Sequence, residues 1–217
     1  MTTIVNGHAG EQAVATMKAF GADVMFTLNG GHIWPLYDAA RNQGVRVVDT
    51  RHEQTATFAA EGWAKLTRRP GFAALTAGPG ITNGVSAITS AHFNGAPLVV
   101  MGGRAPERRW GSGSLQELDH VPILASVTKM AATVKDAAQT AGMVHQAATL
   151  ALTSHRGPVF LDFPLDVFGP SEGVMADVVI PIGADPNPDE LAVVAALLAM
   201  AQRPAVIVGS DVYWDGA

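Results

Sequence analysis

The chain has 217 residues, of which 48% are apolar and 15% charged, enough for one full domain and part of a second, and it is not composed like a disordered chain. Its net charge of −5, with the basic residues scattered, leaves no electrostatic footprint for nucleic acid or an anionic membrane. The absence of Cys excludes disulfides, thiolate catalysis and Cys-ligated zinc.

The N-terminus lacks a basic start followed by an apolar block, so no signal peptide is expected. The longest apolar run, Leu191–Ala201, is too short to span a bilayer. A cytoplasmic protein without a membrane partner is the expectation. Gly10–Phe20 has helical spacing and stops at Gly21. Val24–Leu28 reads as a strand ending in the turn Asn29-Gly30-Gly31-His32, where backbone can approach a ligand closely. Ile33–Gln43 reads as a helix stopped by Gly44, and Val45–Val48 as a buried strand. Thr55–Lys65 is rich in small residues at helical spacing, and Glu53 sits at its junction with the preceding strand. A carboxylate at such a junction either offsets the helix dipole or serves as a poised proton acceptor or donor.

Phe72–Thr76 is another strand, followed by Ala77-Gly78-Pro79-Gly80 and a helix over Ile81–Phe93. Pro97–Met101 is the next strand, and Arg104–Leu118 reads as a loop. Asp119–Leu124 forms a turn or two of helix, and Ser126–Val134 has room for a strand. Asp136–Ser154 reads as a long helix and Gly157–Asp162 as a final strand. The prolines of Pro170–Pro188 mark an interdomain linker. After it come a helix over Asp189–Ala201 and a strand over Ala205–Gly209. The alternation of helices with continuously apolar strands predicts an α/β fold, a parallel sheet of about six strands with helices on both faces. The expected division is one domain over residues 1–180, then a linker and the start of a second over 181–217.

Several expected strand ends carry suggestive residues. Gly78-Pro79-Gly80-Ile81-Thr82-Asn83-Gly84 fits G-x-G-x-x-x-G, a relative of the dinucleotide fingerprint, and Arg104 lies where a 2′-phosphate would be met, so an NADP-binding oxidoreductase is a rival reading. Arg104, Arg108 and Arg109 form a small basic cluster suited to a carboxylate or phosphate. The 7 histidines show no metal-ligand spacing, and His32 stands out for its Gly-rich turn at a strand end. No metal ligand is expected.

Taken together, Phe26-Thr27-Leu28-Asn29-Gly30-Gly31, Arg51-His52-Glu53-Gln54, Ala59-Ala60-Glu61-Gly62, Gly78-Pro79-Gly80-Ile81-Thr82-Asn83, Leu115-Gln116-Glu117 and Asp162-Phe163-Pro164-Leu165-Asp166-Val167 resemble the N-terminal pyrimidine-binding domain of thiamin-diphosphate enzymes. The resemblance is to the acetolactate synthase-like group, which includes 2-hydroxyacyl-CoA lyases, and it covers Gly10 to Val167. It implies thiamin diphosphate as cofactor, with Glu53 hydrogen-bonded to N1′ of the aminopyrimidine so that the N4′ imine removes the C2 proton and the resulting ylide attacks a carbonyl carbon. It implies Glu53, Gln116 and His32 as catalytic residues, and Gly30, Gly31, Glu53, Gly78, Pro79, Gly80 and Asn83 as cofactor-binding. Lys129 is implied near the substrate entrance.

The resemblance also implies a small 2-keto acid or 2-hydroxyacyl-CoA substrate and a homodimer or homotetramer. Mg²⁺ and the diphosphate would be held by a C-terminal domain of a second subunit, so the 217 residues alone are expected not to turn over. FAD would sit on a central domain and is left open. Leu28-Asn29 stands where acetolactate synthases have Tyr-Pro, Leu115 where they have Phe, and His32 where they have a small residue. These departures surround the substrate, so synthase and CoA-lyase chemistry both stay open. The absence of a His-His pair after Pro97–Met101 disfavours a pyruvate-decarboxylase-type site.

Overall fold

The strand β5 (Leu98–Arg104) sends Val99 and Met101 into one apolar cluster and Leu98 and Val100 into another. The strand β7 (Val159–Pro164) repeats this, with Leu161 and Phe163 on one side and Phe160 on the other. A strand with two apolar faces is stable only when both are covered. The computed structural model describes residues 2–183 and 185–216, and within it these strands lie inside a six-stranded sheet.

The other strands of that sheet are β2 (Val24–Thr27), β3 (Arg46–Asp49), β4 (Gly71–Leu75) and β6 (Ala131–Thr133). The order is β3-β2-β4-β5-β7-β6, and every neighbouring pair is parallel. Helices α1 (Ala9–Ala19), α2 (Trp34–Asn42) and α6 (Thr140–Leu152) supply Met17, Leu36 and Val144 to the first cluster. Helices α3 (Glu53–Thr67) and α4 (Pro79–Phe93) supply Ala60 and Ile88 to the second. The sheet therefore carries helices on both faces, as the alternation predicts.

The topology places a crevice. From β2 the chain moves outward to β3, then returns to lay β4 on the other side of β2. Open α/β sheets bind ligands where the winding reverses, beyond the carboxyl ends of the strands. Here those ends belong to β2 and β4, and both run into glycine turns. Helix α3 starts at Glu53 because the Nδ1 of His52, its N-cap, accepts the Gln54 amide at 3.2 Å.

Two expectations are corrected. The N-terminal part of the Pro170–Pro188 linker is not linker: β8 (Pro170–Ala176) pairs antiparallel with β1 (Thr2–His8). The partner lies at the opposite end of the domain in sequence, so no local pattern announced it. Gln12 ties the pair to α1, donating to the Gly7 and Ser171 carbonyls at 3.2 and 3.3 Å. Ala184, within the same expected linker, lies outside the described residues. The second correction is Ala205–Gly209, which has no regular structure: a strand needs a neighbour to take its N–H and C=O groups, and none pairs with it among the described residues.

The expected helix near the C-terminus is present as α7 (Pro188–Met200), with its apolar side chains exposed. Helix α5 (His120–Leu124) caps the sheet's second face, and α8 (Ser210–Asp215) buries Trp214 in the same cluster.

The close seating of α3 depends on Gly71, where a Cβ would lie 2.3 Å from the Ala60 carbonyl oxygen. That obstacle is backbone and cannot rotate away. Gly71→Ala is expected to lower stability by about 1–3 kcal/mol, read as the urea midpoint. An unchanged midpoint would refute the packing account.

Candidate active site

The crevice opens as a cavity of about 770 Å³ lined by the β2 turn (Asn29, Gly30, Gly31, His32), Glu53, Thr76, Arg109, Ser114, Leu115, Gln116 and Leu165, among others. Glu53 is the first residue of α3 and is 7% exposed. Its Oε2 accepts the Asn83 side-chain amide of α4 at 2.9 Å, while no described residue donates to Oε1. A buried carboxylate needs such a partner. The helix dipole at the α3 N-terminus adds a favourable field.

The glycines around Glu53 are there for space. A Cβ on Gly30 would fall 2.3 Å from the Thr76 side chain, and one on Gly80 would fall 2.6 Å from Thr76 Cγ2 and 3.5 Å from Glu53 Oε1. Gly78 has φ +57°, which a side chain strongly disfavours, and a Cβ there would press 3.0 Å from that of Gln116. Gln116 itself has φ +56°, so the cavity wall holds a strained non-glycine residue. Thr76 stands between the two turns and was not singled out from the sequence. A threonine at a strand end carries no signal of its own.

His32 is 5% exposed, and its Nδ1 lies 3.4 Å from Thr76 Oγ1. It backs onto Gly103 at the end of β5, where a Cβ would fall 2.3 Å from its own. Burial, the largest cause, pushes its imidazole below the usual 6.5, and a hydrogen bond to the Leu115 backbone opposes this.

The wall from Pro106 to Gln116 is pinned at both ends. Asp166 accepts the Glu107 and Arg108 amides at 2.9 and 3.0 Å, and Glu117 accepts the Gly111 and Ser114 amides at 3.0 and 3.3 Å. Burial works against the Asp166 charge, yet the Arg108 and Glu107 amides hold its carboxyl below the usual carboxylate range.

The structure thus brings Gly30, Gly31, His32, Glu53 and Gln116 around one cavity, with Gly78, Gly80 and Asn83 in contact behind them. Pro79 is exposed in the first turn of α4 and does not line the cavity. Lys129 does not line it either: its ammonium donates to the Leu150 and Thr153 carbonyls at the end of α6, at 2.7 and 2.6 Å. Burial lowers its pKa, Arg156 lowers it further, and Asp211 opposes both.

Arg104 is engaged by carboxylates, with Asp162 at 3.3 Å and Asp119 at 3.4 Å, and its guanidinium stacks 3.8 Å over Trp110. The Gly78 amide already donates to His120. Neither group is free for the phosphates of a dinucleotide. Among the described residues no cluster of three or more His, Cys, Asp or Glu side chains is arranged to hold a metal ion, and no helix is long and apolar enough to cross a membrane.

Residues 7–123 match the family described as "Thiamine pyrophosphate enzyme, N-terminal TPP binding domain". The chain belongs to this family. Thiamine pyrophosphate and thiamin diphosphate are the same cofactor. The chain is 50% identical over 216 residues to the acetolactate synthase large subunit IlvG of Mycobacterium tuberculosis, matching 97% of this chain and 39% of that protein. It is 39% identical over 172 residues to the 2-hydroxyacyl-CoA lyase 2 of Homo sapiens, matching 79% of this chain and 27% of the relative. It therefore spans well under half the length of these relatives.

In three dimensions it is similar to the thiamine diphosphate-dependent 4-hydroxybenzoylformate decarboxylase of Rhodococcus jostii RHA1. The TM-score is 0.83 at 21% identity, covering 91% of this chain and 38% of the decarboxylase, a likeness of fold. This thiamine-pyrophosphate-family domain thus carries the β3–α3 glutamate in the crevice of its sheet.

The depressed His32 pKa sets a sign. The folded chain holds this proton less tightly than the unfolded chain, so stability is intact above pH 6.5 and falls as pH drops from 6.5 through the lower folded value. Urea titrations on either side of pH 6.5 are expected to show a smaller acid loss in His32→Asn than in the unaltered chain. Parallel curves for the two would refute the assignment.

Proposed function

We propose that this chain is the pyrimidine-binding part of a thiamin-diphosphate-dependent enzyme that forms or cleaves C–C bonds next to a carbonyl, with acetolactate synthase-like carboligation of small 2-keto acids as its reaction. The observation that carries the proposal is Glu53, held at Oε2 by Asn83 with Oε1 beside Gly80, in a cavity that the Gly30-Gly31 turn also lines, at the point where the winding of the sheet reverses.

The cradle fits a flat aminopyrimidine. Gly30 and Gly80 let their turns pack directly on Thr76, where a Cβ would collide, and Glu53 Oε1, to which no described residue donates, is the oxygen a ring nitrogen would meet. When bound, thiamin diphosphate supplies a nucleophilic C2 and an electron sink. Glu53 would hold, at Oε1, the proton to be shared with N1′ of the aminopyrimidine. Asn83 fixes the carboxyl plane, so that proton has one direction in which to move. Gly30, Gly31, Gly78 and Gly80 would hold the ring with their backbone, and Pro79 sets the first turn of α4 behind them. Gln116 and His32, which both line the cavity, would orient the carbonyl substrate.

A second reading, 2-hydroxyacyl-CoA cleavage, is favoured by the lyase relatives and by Asn29, His32 and Leu115 around the cavity. Residues 1–180 form the cofactor-binding domain in this proposal, and 181–217 open a central domain. The exposed apolar side chains of α7 support that division. The diphosphate and Mg²⁺ fall to a C-terminal domain of a second subunit in a homo-oligomer, with Lys129 near the substrate's way in.

Glu53→Gln keeps the shape but cannot exchange a proton in the same way. In the cofactor-loaded enzyme it is expected to slow hydrogen–deuterium exchange at C2 by roughly 10²–10⁴-fold with assembly intact, and unchanged exchange would defeat the proposed role. Product analysis with pyruvate is expected to give acetolactate. Activity on 2-hydroxyacyl-CoA alone would establish the second reading. The 217 residues by themselves are expected to show no micromolar binding of thiamin diphosphate with Mg²⁺ by calorimetry, and tight binding would contradict the shared-site proposal.

A further inference from the structure

Behind the cavity lies a buried polar chain that the reaction as described does not use. The Gly78 amide donates to Nε2 of His120 at 2.9 Å. The other ring nitrogen, Nδ1, lies 3.0 Å from Oδ2 of Asp162. Both His120 and Asp162 are 0% exposed. The same Asp162 oxygen is 3.3 Å from the Arg104 guanidinium.

This geometry leaves the imidazole one arrangement. A backbone N–H can only donate, so Nε2 presents its lone pair and carries no hydrogen. The ring proton is then on Nδ1, pointing at the carboxylate, which Arg104 neutralises. His120 is a neutral ring whose tautomer is set by the groups on its two sides.

We infer that His120 is a positioning residue: with Asp162 and Arg104 behind it, it fixes the Gly78 amide and so sets the Gly78-Pro79-Gly80 turn against Glu53. This inference rests on the cofactor reading of Glu53. The turn has little latitude. Gly78 sits at φ +57° and ψ −116°, a conformation open to glycine but not to a residue with a side chain, and its buried amide needs a partner. Gly80, two residues on, is where a Cβ would meet both Thr76 and Glu53. Gly78 also packs on Gln116, since a Cβ there would lie 3.0 Å from the Gln116 Cβ and 3.1 Å from its carbonyl oxygen. The three side chains come from the end of β5, the middle of β7 and the start of α5, so the sheet itself serves as the anchor.

Three measurements test this. Nitrogen-15 histidine spectra of the chain are expected to show His120 neutral with its hydrogen on Nδ1, and a hydrogen on Nε2 or an imidazolium would overturn the inference. His120→Leu removes the acceptor and is expected to speed exchange of the Gly78 amide and slow C2 exchange in the cofactor-loaded enzyme, each about tenfold, the worth of one hydrogen bond. His120→Gln returns an acceptor oxygen near the Nε2 position and is expected to recover most of both. If His120→Leu does not fold, the glutamine variant and the tautomer still decide.

Asp162→Ala is expected to speed Gly78 exchange in the unaltered chain but to add nothing once His120 is leucine, a non-additivity that independent structural roles would not produce. Faster Gly78 exchange with C2 exchange unaffected would reduce His120 to a structural contact and overturn the inference while leaving the Glu53 reading intact. A Glu53→Gln control with unaffected C2 exchange would instead show that the cofactor reading had failed.

Discussion

The hydrogen bond from Asn83 to Glu53, 2.9 Å long, joins the beginnings of two helices that leave different strands. A carboxylate that is 7% exposed is costly unless it is paired. Meeting that requirement forces α3 and α4 to start side by side, and this fixes how the β3–α3 and β4–α4 junctions sit about the crevice. The glycines at 30, 78 and 80 follow from the same constraint. A side chain on these turns would meet Thr76 at Gly30, Gln116 at Gly78, and both Thr76 and Glu53 at Gly80.

The site is preorganised from both sides. Behind it, the sheet contributes an anchored ion pair and a buried histidine. In front, a loop that carries Gln116 in a left-handed conformation is held by carboxylates that accept its backbone amides. Rigidity of this kind suits a site whose reacting group must arrive in one orientation. The far end of the chain contrasts with it: α7 is apolar yet exposed, while α8 returns to the second face and docks there through Trp214, an Arg156–Asp215 pair of 2.7 Å and a hydrogen bond from the Tyr213 hydroxyl to the Lys65 carbonyl.

Much of the fold was legible because its physics is local. The strands are apolar without interruption, the helices end at glycine, and the alternation of the two admits a parallel sheet and little else. The glycine turns and Glu53 were legible for the same reason, since each lies at a junction that sequence pattern marks. The pairing of β1 with β8 was not legible, because it joins the two ends of the domain. Ala205–Gly209 shows the converse: it has strand composition but no neighbouring strand.

The sequence by itself determined the fold class, the family and the carboxylate at the β3–α3 junction, because periodicity, punctuation and ordered short motifs are written along the chain. Only the tertiary structure decided which side chains complete the site. His120 looked like one of several unremarkable histidines, Arg104 like a free cation, and Asp162 like part of a strand-end motif, until the sheet brought all three together behind Gly78. The physical reason is that a hydrogen-bond partner is chosen by distance in space, and residues 78, 104, 120 and 162 become neighbours only when β4, β5 and β7 lie side by side.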